Sequence, residues 1–279
     1  MNAAALKARI KNIAIDKGVD PQTLMQVYFM DQFLLRLSHY KEKDHIIVKG
    51  GMLIVALLGI TTRSTMDIDT AVKDYTLNEE SAKKLFTDIS KISYDDGCTF
   101  ELKKIKQIMD ENEYQGFRVF FFGKKEKIVQ SLHLDFSTGD KITPKEVDLT
   151  YKTFLLGEEV NIKSYNIETF VAEKLETTFS RGTANTRMKD FYDLYIINKM
   201  LFSDINQSIL KDAFGTTLKR RDTEYIIELK KDILESVESD KNMLNRWTHY
   251  SKSYSYAQNI TYNECIDAIK EFIQISLES

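Results

Sequence analysis

Two prolines, two cysteines, one tryptophan and four histidines in 279 residues already remove several classes of protein from consideration. Cys98 and Cys265 are too few and too far apart for a disulfide scaffold or a zinc site, so both read as buried thiols in a reducing compartment. His39, His45, His133 and His249 are scattered, without the close pairing that metal ligation needs. No apolar run approaches membrane-spanning length, and Met1 to Lys7 lacks the apolar core of a secretory signal; a soluble cytoplasmic protein without a membrane partner is expected. The formal net charge of −3 provides no global basic field, so contact with nucleic acid or anionic lipid would need a local patch. There is no Ser/Gly-rich linker, no low-complexity segment and no internal repeat.

The chain is longer than a usual single domain, so one large or two modest domains are expected. Ala3 to Lys17 reads as a helix stopped by Gly18. Asp20-Pro21 is an N-cap followed by proline at the first helical position, opening a second helix to about Tyr40. From His45 to about Val160 the period changes. Strands are predicted at His45 to Val48, Asp67 to Val72, Thr99 to Ile108, Gly116 to Phe122, Lys127 to Phe136 and Thr153 to Leu156, with helices at Gly51 to Leu58 and Asn78 to Ile92 and a turn at Gly123-Lys124-Lys125. From Ile167 the pattern is helical: Ile167 to Ser180, Thr186 to Phe202, Ser203 to Phe214, Asp222 to Glu238, Lys241 to Lys252 and Tyr262 to Leu277. The expected fold class is α+β, a mixed sheet with helices in residues 1–165 followed by a C-terminal helical bundle in 166–279.

What the chain does have is concentrated in one stretch. Lys49-Gly50-Gly51 opens a short apolar helix, and Arg63-Ser64-Thr65-Met66-Asp67-Ile68-Asp69-Thr70 then presents two carboxylates two residues apart. Side chains alternate along a strand, so Asp67 and Asp69 face one way while Ile68 points to the core. Two carboxylates beside a glycine-walled helix start suit a divalent metal held against a nucleotide phosphate. With 42 acids in 279 residues, an acid-x-acid triplet arises roughly six times by composition alone, so the glycines, the spacer and the apolar flanks carry the signal.

A third carboxylate comes from another segment. Leu132, Leu134 and Phe136 alternate with Ser131, His133 and Asp135, so Asp135 faces away from the apolar side. If its strand lies beside that of Asp67 and Asp69, three acids share one patch, and their repulsion calls for a cation. The plainer reading makes Asp135 a polar strand-end residue.

Gly50-Gly51, Arg63-x-Thr65-x-Asp67-Ile68-Asp69 and Leu134-Asp135-Phe136 resemble the nucleotidyltransferase core of the polymerase-beta superfamily, and within it the AbiEii toxin family of type IV toxin–antitoxin, abortive-infection systems. Ile167-Glu168-Thr169-Phe170-Val171-Ala172-Glu173-Lys174-Leu175-Glu176 and Arg187-Met188-Lys189-Asp190-Phe191-Tyr192-Asp193-Leu194-Tyr195 resemble that family's following helices. The resemblance spans about Ile46 to Asn198. It implies a magnesium-dependent transfer of a nucleoside monophosphate from an NTP, with Asp67 and Asp69 ligating two Mg²⁺ ions and Asp135 completing the site and helping to deprotonate the acceptor. It also implies phosphate held by the amides of Gly50 and Gly51, with Arg63 and Thr65 as further contacts. Position 51 carries glycine where the superfamily usually has serine, and the spacer to Asp67 is longer than usual. The nucleotide would be GTP or a pyrimidine nucleotide, the acceptor tRNA, the partner a separately encoded AbiEi-like antitoxin, and the role phage defence.

In the helical half, Lys174 is expected against the triphosphate across the interdomain cleft, oriented by Asp193 or Asp190, with Arg187 and Lys189 supplying further charge. Arg187 with Asp190 and Lys189 with Asp193 also have the spacing of ordinary intrahelical ion pairs, worth ~0.5 kcal/mol each. Phe170, Phe191 and Tyr195 read as core. Lys219-Arg220-Arg221 with Lys230-Lys231 could touch RNA, although such runs are commonly solvated helix ends. Two other functions compete: a catalytically idle nucleotide-binding or interaction protein, and a nucleotidyltransferase acting on a small molecule.

Overall fold

In the computed structural model the chain is described at residues 1–63, 65, 67–109 and 115–277. Two compact units emerge: one comprises Met1–Asp140 with Glu146–Tyr165, the other Lys141–Lys145 with Asn166–Ser279.

The first unit opens with α1 (Ala3–Lys17), which is closed by Gly18 at φ 63°, and α2 (Pro21–Ser38), whose Asp20 side chain caps the Thr23 amide. Then follow β1 (Ile46–Lys49), α3 (Gly50–Leu58), β2 (Ile68–Val72), α4 (Glu79–Ser90), β3 (Thr99–Met109), β4 (Gln115–Lys125), β5 (Ile128–Ser137), β6 (Val147–Lys152) and β7 (Glu159–Ser164). The seven strands form one sheet in the order β3-β4-β5-β2-β1-β7-β6, parallel at β2–β5 and β1–β7 and antiparallel elsewhere. α2 is buried almost all round, as a central helix must be when apolar residues occupy every face. Phe33 of α2 meets Phe86 of α4 and Phe121 of β4 at ring distances of 5.7 and 5.4 Å, closing the core over one sheet face. Arg36, buried, donates to both oxygens of Asp96 at 2.7 and 2.8 Å.

The structure corrects two expectations in this unit. Gly123-Lys124-Lys125 is not a turn: β4 continues to Lys125, and the chain reverses at Glu126, which takes φ 49°. Gly123 is required by packing, since a Cβ there would lie 2.6 Å from Phe29 Cδ1. Thr153 to Leu156 is not a strand but the turn joining β6 to β7, two strands the apolar pattern had not revealed. Buried Asp31 fixes that turn by accepting from the Phe154 amide (2.7 Å) and the Tyr151 hydroxyl (3.2 Å), and Gly157 leaves it at φ 69°. β6 was hard to read because only Leu149 and Tyr151 of its six residues are buried.

The second unit contains α5 (Ile167–Arg181), α6 (Met188–Leu201), α7 (Gln207–Arg220), α8 (Ile226–Ser239), α9 (Lys241–Ser253) and α10 (Tyr262–Leu277). α7 begins later than expected because Asn206 is its cap, accepting from the Ile209 amide, and it runs past Phe214 to Arg220. Cys98 and Cys265 are free and buried. No helix among the described residues is long and apolar enough to cross a membrane.

Candidate functional site

One transverse row crosses five strands of the sheet. Lys49 of β1 is the register partner of Asp69 in β2, Asp69 of Asp135 in β5, Asp135 of Arg118 in β4, and Arg118 of Lys106 in β3. Directly paired residues share a face, so two acids stand side by side with cations on both flanks. The parallel β2–β5 pairing creates this row. It is tied by Thr70 Oγ1 donating to the Asp135 carbonyl (2.7 Å) and Ser137 Oγ to the Thr70 carbonyl (3.2 Å). Ile68 and Leu134 occupy the opposite, buried face.

Asp135, Asp67 and Asp140 each have a partner. Arg118 grips Asp135 through both oxygens, Nε to Oδ1 at 2.8 Å and Nη2 to Oδ2 at 2.6 Å. That bond is the main reason the guanidinium's pKa is raised. His133, two residues before Asp135 and on the same face, contacts the Asp67 carboxylate. Lys49 Nζ bonds Asp140 at 2.9 Å, beneath the same end of the sheet, and Ser137 Oγ donates to the same carboxylate at 2.7 Å.

The glycines abut this row. α3 starts at Gly50, φ 66°, where a Cβ would overlap the Asp69 carboxylate and lie 2.8 Å from its Cγ. At Gly51 a Cβ would meet the guanidinium of Arg63 and come within 2.7 Å of Thr65 Oγ1. Arg63 and Thr65 are buried at 5% and 6% exposure, so neither is a solvated loop residue. Lys49, at the cap position of α3, makes no side-chain capping bond among the described residues, and the first amides of the helix suit an anion. Gly50, Gly51, Arg63, Thr65, Asp67, Asp69 and Asp135 all lie on one unit, with Arg118 and His133 as additions the sequence had given no part in the site and Lys49 as a motif residue that had been given no role. Arg118 and His133 could have been found, because both share the strand parity of Asp135 once β4 is paired with β5.

The helical unit gathers a second group. Lys174 of α5 bonds Asp190 at 2.6 Å and Asp193 at 2.9 Å, both on α6, and its ammonium lies 4.7 Å from the Phe170 ring centre. Burial alone would lower the Lys174 pKa, but the two aspartates outweigh it and raise it. Asp190 also accepts from Arg187 Nε at 3.0 Å. Asp193 is therefore committed to Lys174 on the neighbouring helix, and Lys189 of the same helix is exposed. Phe170 and Phe191 are buried, and Tyr195 is half-buried. The run Lys219-Arg220-Arg221 is not an open basic patch: Arg220 pairs with Glu173 at 3.6 Å, and Arg221 bonds Glu176 and the Thr177 hydroxyl, binding α7 to α5.

For a divalent ion the donor chemistry fits, since Asp69 and Asp135 offer hard carboxylate oxygens from adjacent strands and Asp67 lies just before β2 rather than in the strand expected for it. Among the described residues, however, no three His, Cys, Asp or Glu side chains are gathered closely enough to hold a metal. Asp135 and Asp67 are turned instead to Arg118 and His133.

The fold is that of a nucleotidyltransferase. It is similar to a candidate nucleotidyltransferase from H. pylori, with a TM-score of 0.56 and 16% identity, covering 92% of this chain and 96% of that one. A similar match is to JHP933 from Helicobacter pylori, with a TM-score of 0.54 and 16% identity over 92% of this chain and 93% of the other. No curated protein matches the sequence. The model of the nucleotidyl transferase AbiEii toxin family, type IV toxin–antitoxin system, matches residues 32–272, and the chain belongs to that family.

Proposed function

We propose that this nucleotidyltransferase is the toxin of a type IV toxin–antitoxin pair and moves a nucleoside monophosphate from an NTP to tRNA or another component of translation, releasing pyrophosphate. The observation that carries the reading is the Lys49–Asp69–Asp135–Arg118 row abutting Gly50 and Gly51. Phosphate oxygens would sit at the start of α3, where Gly50 and Gly51 let the Asp69 carboxylate and the Arg63 guanidinium come close to the backbone. Arg63, buried against Gly51, and Lys49 would bring positive charge to that end of the sheet. Asp135 would accept the proton of the acceptor hydroxyl once Arg118 yields one of its oxygens. Mg²⁺ ions held by Asp67, Asp69 and Asp135 would supply charge neutralisation at the triphosphate and at the departing pyrophosphate. In the helical unit, Asp190 and Asp193 would position Lys174 for phosphate rather than touch nucleotide themselves. Arg187 and Lys189 would add charge nearby in sequence.

Incubation of the protein with each labelled NTP, Mg²⁺ and total RNA or cell lysate tests the reading and chooses between GTP and a pyrimidine nucleotide. Label in tRNA is expected. Label confined to a small molecule would redirect the assignment to a small-molecule nucleotidyltransferase, and NTP binding without any incorporation would make the protein an idle binder. Growth inhibition relieved by an AbiEi-like antitoxin encoded beside the gene would complete the toxin assignment and bear on its role in phage defence.

A further inference from the structure

Thr186, Met188, Asn245, Arg246, Tyr250 and Tyr254 line an open pocket of about 540 Å³ formed wholly within the helical unit. Two of these, Tyr250 and Tyr254, belong to a ladder of rings that runs on behind the pocket. The single tryptophan, Trp247, has its ring centre 5.6 Å from that of Tyr250, which lies 4.7 Å from Tyr254. Tyr254 in turn stacks on Tyr256 at 5.4 Å with planes 26° apart, and Tyr256 packs 4.7 Å from Tyr192 of α6. A hydroxyl hydrogen bond of 3.1 Å between Tyr250 and Tyr256 stiffens the ladder. Tyr254, 42% exposed, is its solvent-facing rung.

The rest of the lining holds polar groups in reserve. The Asn245 amide and the His249 imidazole are exposed and, among the described residues, bond no other protein group. Arg246 donates from Nη1 to the carbonyls of Thr183 (2.8 Å) and Asn185 (3.1 Å), which fixes it in place, and among the described residues it has no carboxylate partner. α9 carries Lys241, Arg246, His249 and Lys252 and contains neither Asp nor Glu, a local basic surface on a chain of formal net charge −3. An exposed ring to stack on, amide and imidazole edges able to read a heterocycle, and cations without an acid together match one kind of ligand.

We propose that this pocket binds a nucleotide, with the base stacked on Tyr254 and the phosphate toward Arg246 and His249. The proposal rests on the nucleotide-handling function above and adds a recognition site to it. A free nucleotide and the terminal nucleotide of an RNA present the same chemistry here, and the test separates them.

Trp247 gives the readout. The full chain carrying Asp69→Ala, so that no turnover intervenes, is titrated with ATP, GTP, CTP and UTP and separately with short single-stranded oligoribonucleotides while tryptophan fluorescence is followed. A saturable change with at least one probe is expected. A response to triphosphates identifies the free nucleotide as the source, and a response to oligoribonucleotides alone identifies an RNA end. Adding Tyr254→Ala should weaken binding about tenfold, the loss of one base–aromatic stack; Asn245→Ala should weaken it severalfold, and Tyr254→Phe should preserve it. Circular dichroism verifies that each variant is folded. Absence of any fluorescence response, or a folded Tyr254→Ala chain that binds as tightly as its parent, overturns the proposal. Wild-type protein that binds through Tyr254 but transfers no label would sink the transferase reading and leave the pocket standing. Normal transfer with binding indifferent to Tyr254 would do the reverse.

Discussion

The two groups of acids in this protein are built on opposite terms. Asp67, about a third exposed, is met by His133, and Asp135, 12% exposed, by Arg118, both of these partners themselves partly open to solvent. Asp190 and Asp193 in the helical unit, 2% and 0% exposed, are locked onto Lys174. An acid reachable by solvent and held by a movable cation can exchange that cation for a ligand. An acid sealed inside a unit with its cation is part of what keeps that unit folded, because an unpartnered buried charge is costly. The sheet acids are therefore the candidates for chemistry, and the helical acids hold Lys174.

Substitutions can break this contrast. The largest effect is expected at Asp69: Asp69→Ala should lower transfer at least about a thousandfold, roughly 4 kcal/mol, and abolish growth inhibition with the melting temperature nearly unchanged. Activity retained in that variant would remove the site. Asp193→Ala should show the opposite signature, a stability loss of about 1–3 kcal/mol in urea unfolding, since Lys174 loses one of its two acids and keeps Asp190. A normal urea midpoint would show that Asp193 is no structural partner. Lys174→Ala should combine both effects, raising the NTP requirement of whatever fraction stays folded.

Asp31 sharpens the comparison as a buried acid whose partners among the described residues are an amide and a hydroxyl rather than a cation. Burial raises its pKa from 3.8 to about 7, against the lowering effect of the Phe154 amide and Tyr151 hydroxyl. Between those values the folded chain keeps a proton that the unfolded chain has released. Stability should therefore fall as pH rises through that window, by on the order of 4 kcal/mol at most, and then level off. Urea midpoints at several pH values should show this slope in wild type and its flattening in Asp31→Asn. The smallest effect is expected at Arg118. Arg118→Ala should let Mg²⁺ raise the melting temperature by a few degrees more than in wild type, because Asp135 no longer has a resident cation. An unchanged Mg²⁺ response would mean that Asp135 does not meet the ion.

Much of the fold could be read along the chain wherever one local rule dominates. Asn2, Asp20 and Asn78 mark helix starts, Gly18 a stop, and the alternation from Leu132 to Phe136 a half-buried strand. The misreadings arose where a distant residue decides. Gly123 looks like a turn until Phe29 packs over it, and Thr153 to Leu156 looks like a strand until Asp31 captures its amide. Lys219-Arg220-Arg221 reads as a solvated helix end that could touch RNA until Glu173 and Glu176 of another helix engage it. Among the candidate site residues, the glycines and acids were visible as types in a pattern, whereas Arg118 and His133 became meaningful only through strand pairing.

By itself the sequence determined which side chains share a strand face and where glycine opens a helix, because those follow from the two-residue and 3.6-residue periods of the backbone. The parallel seating of β2 on β5 was decided by tertiary structure alone. Ile68 and Leu134 must enter the same core, and that requirement sets the register that puts Asp69 beside Asp135 and both beside Arg118.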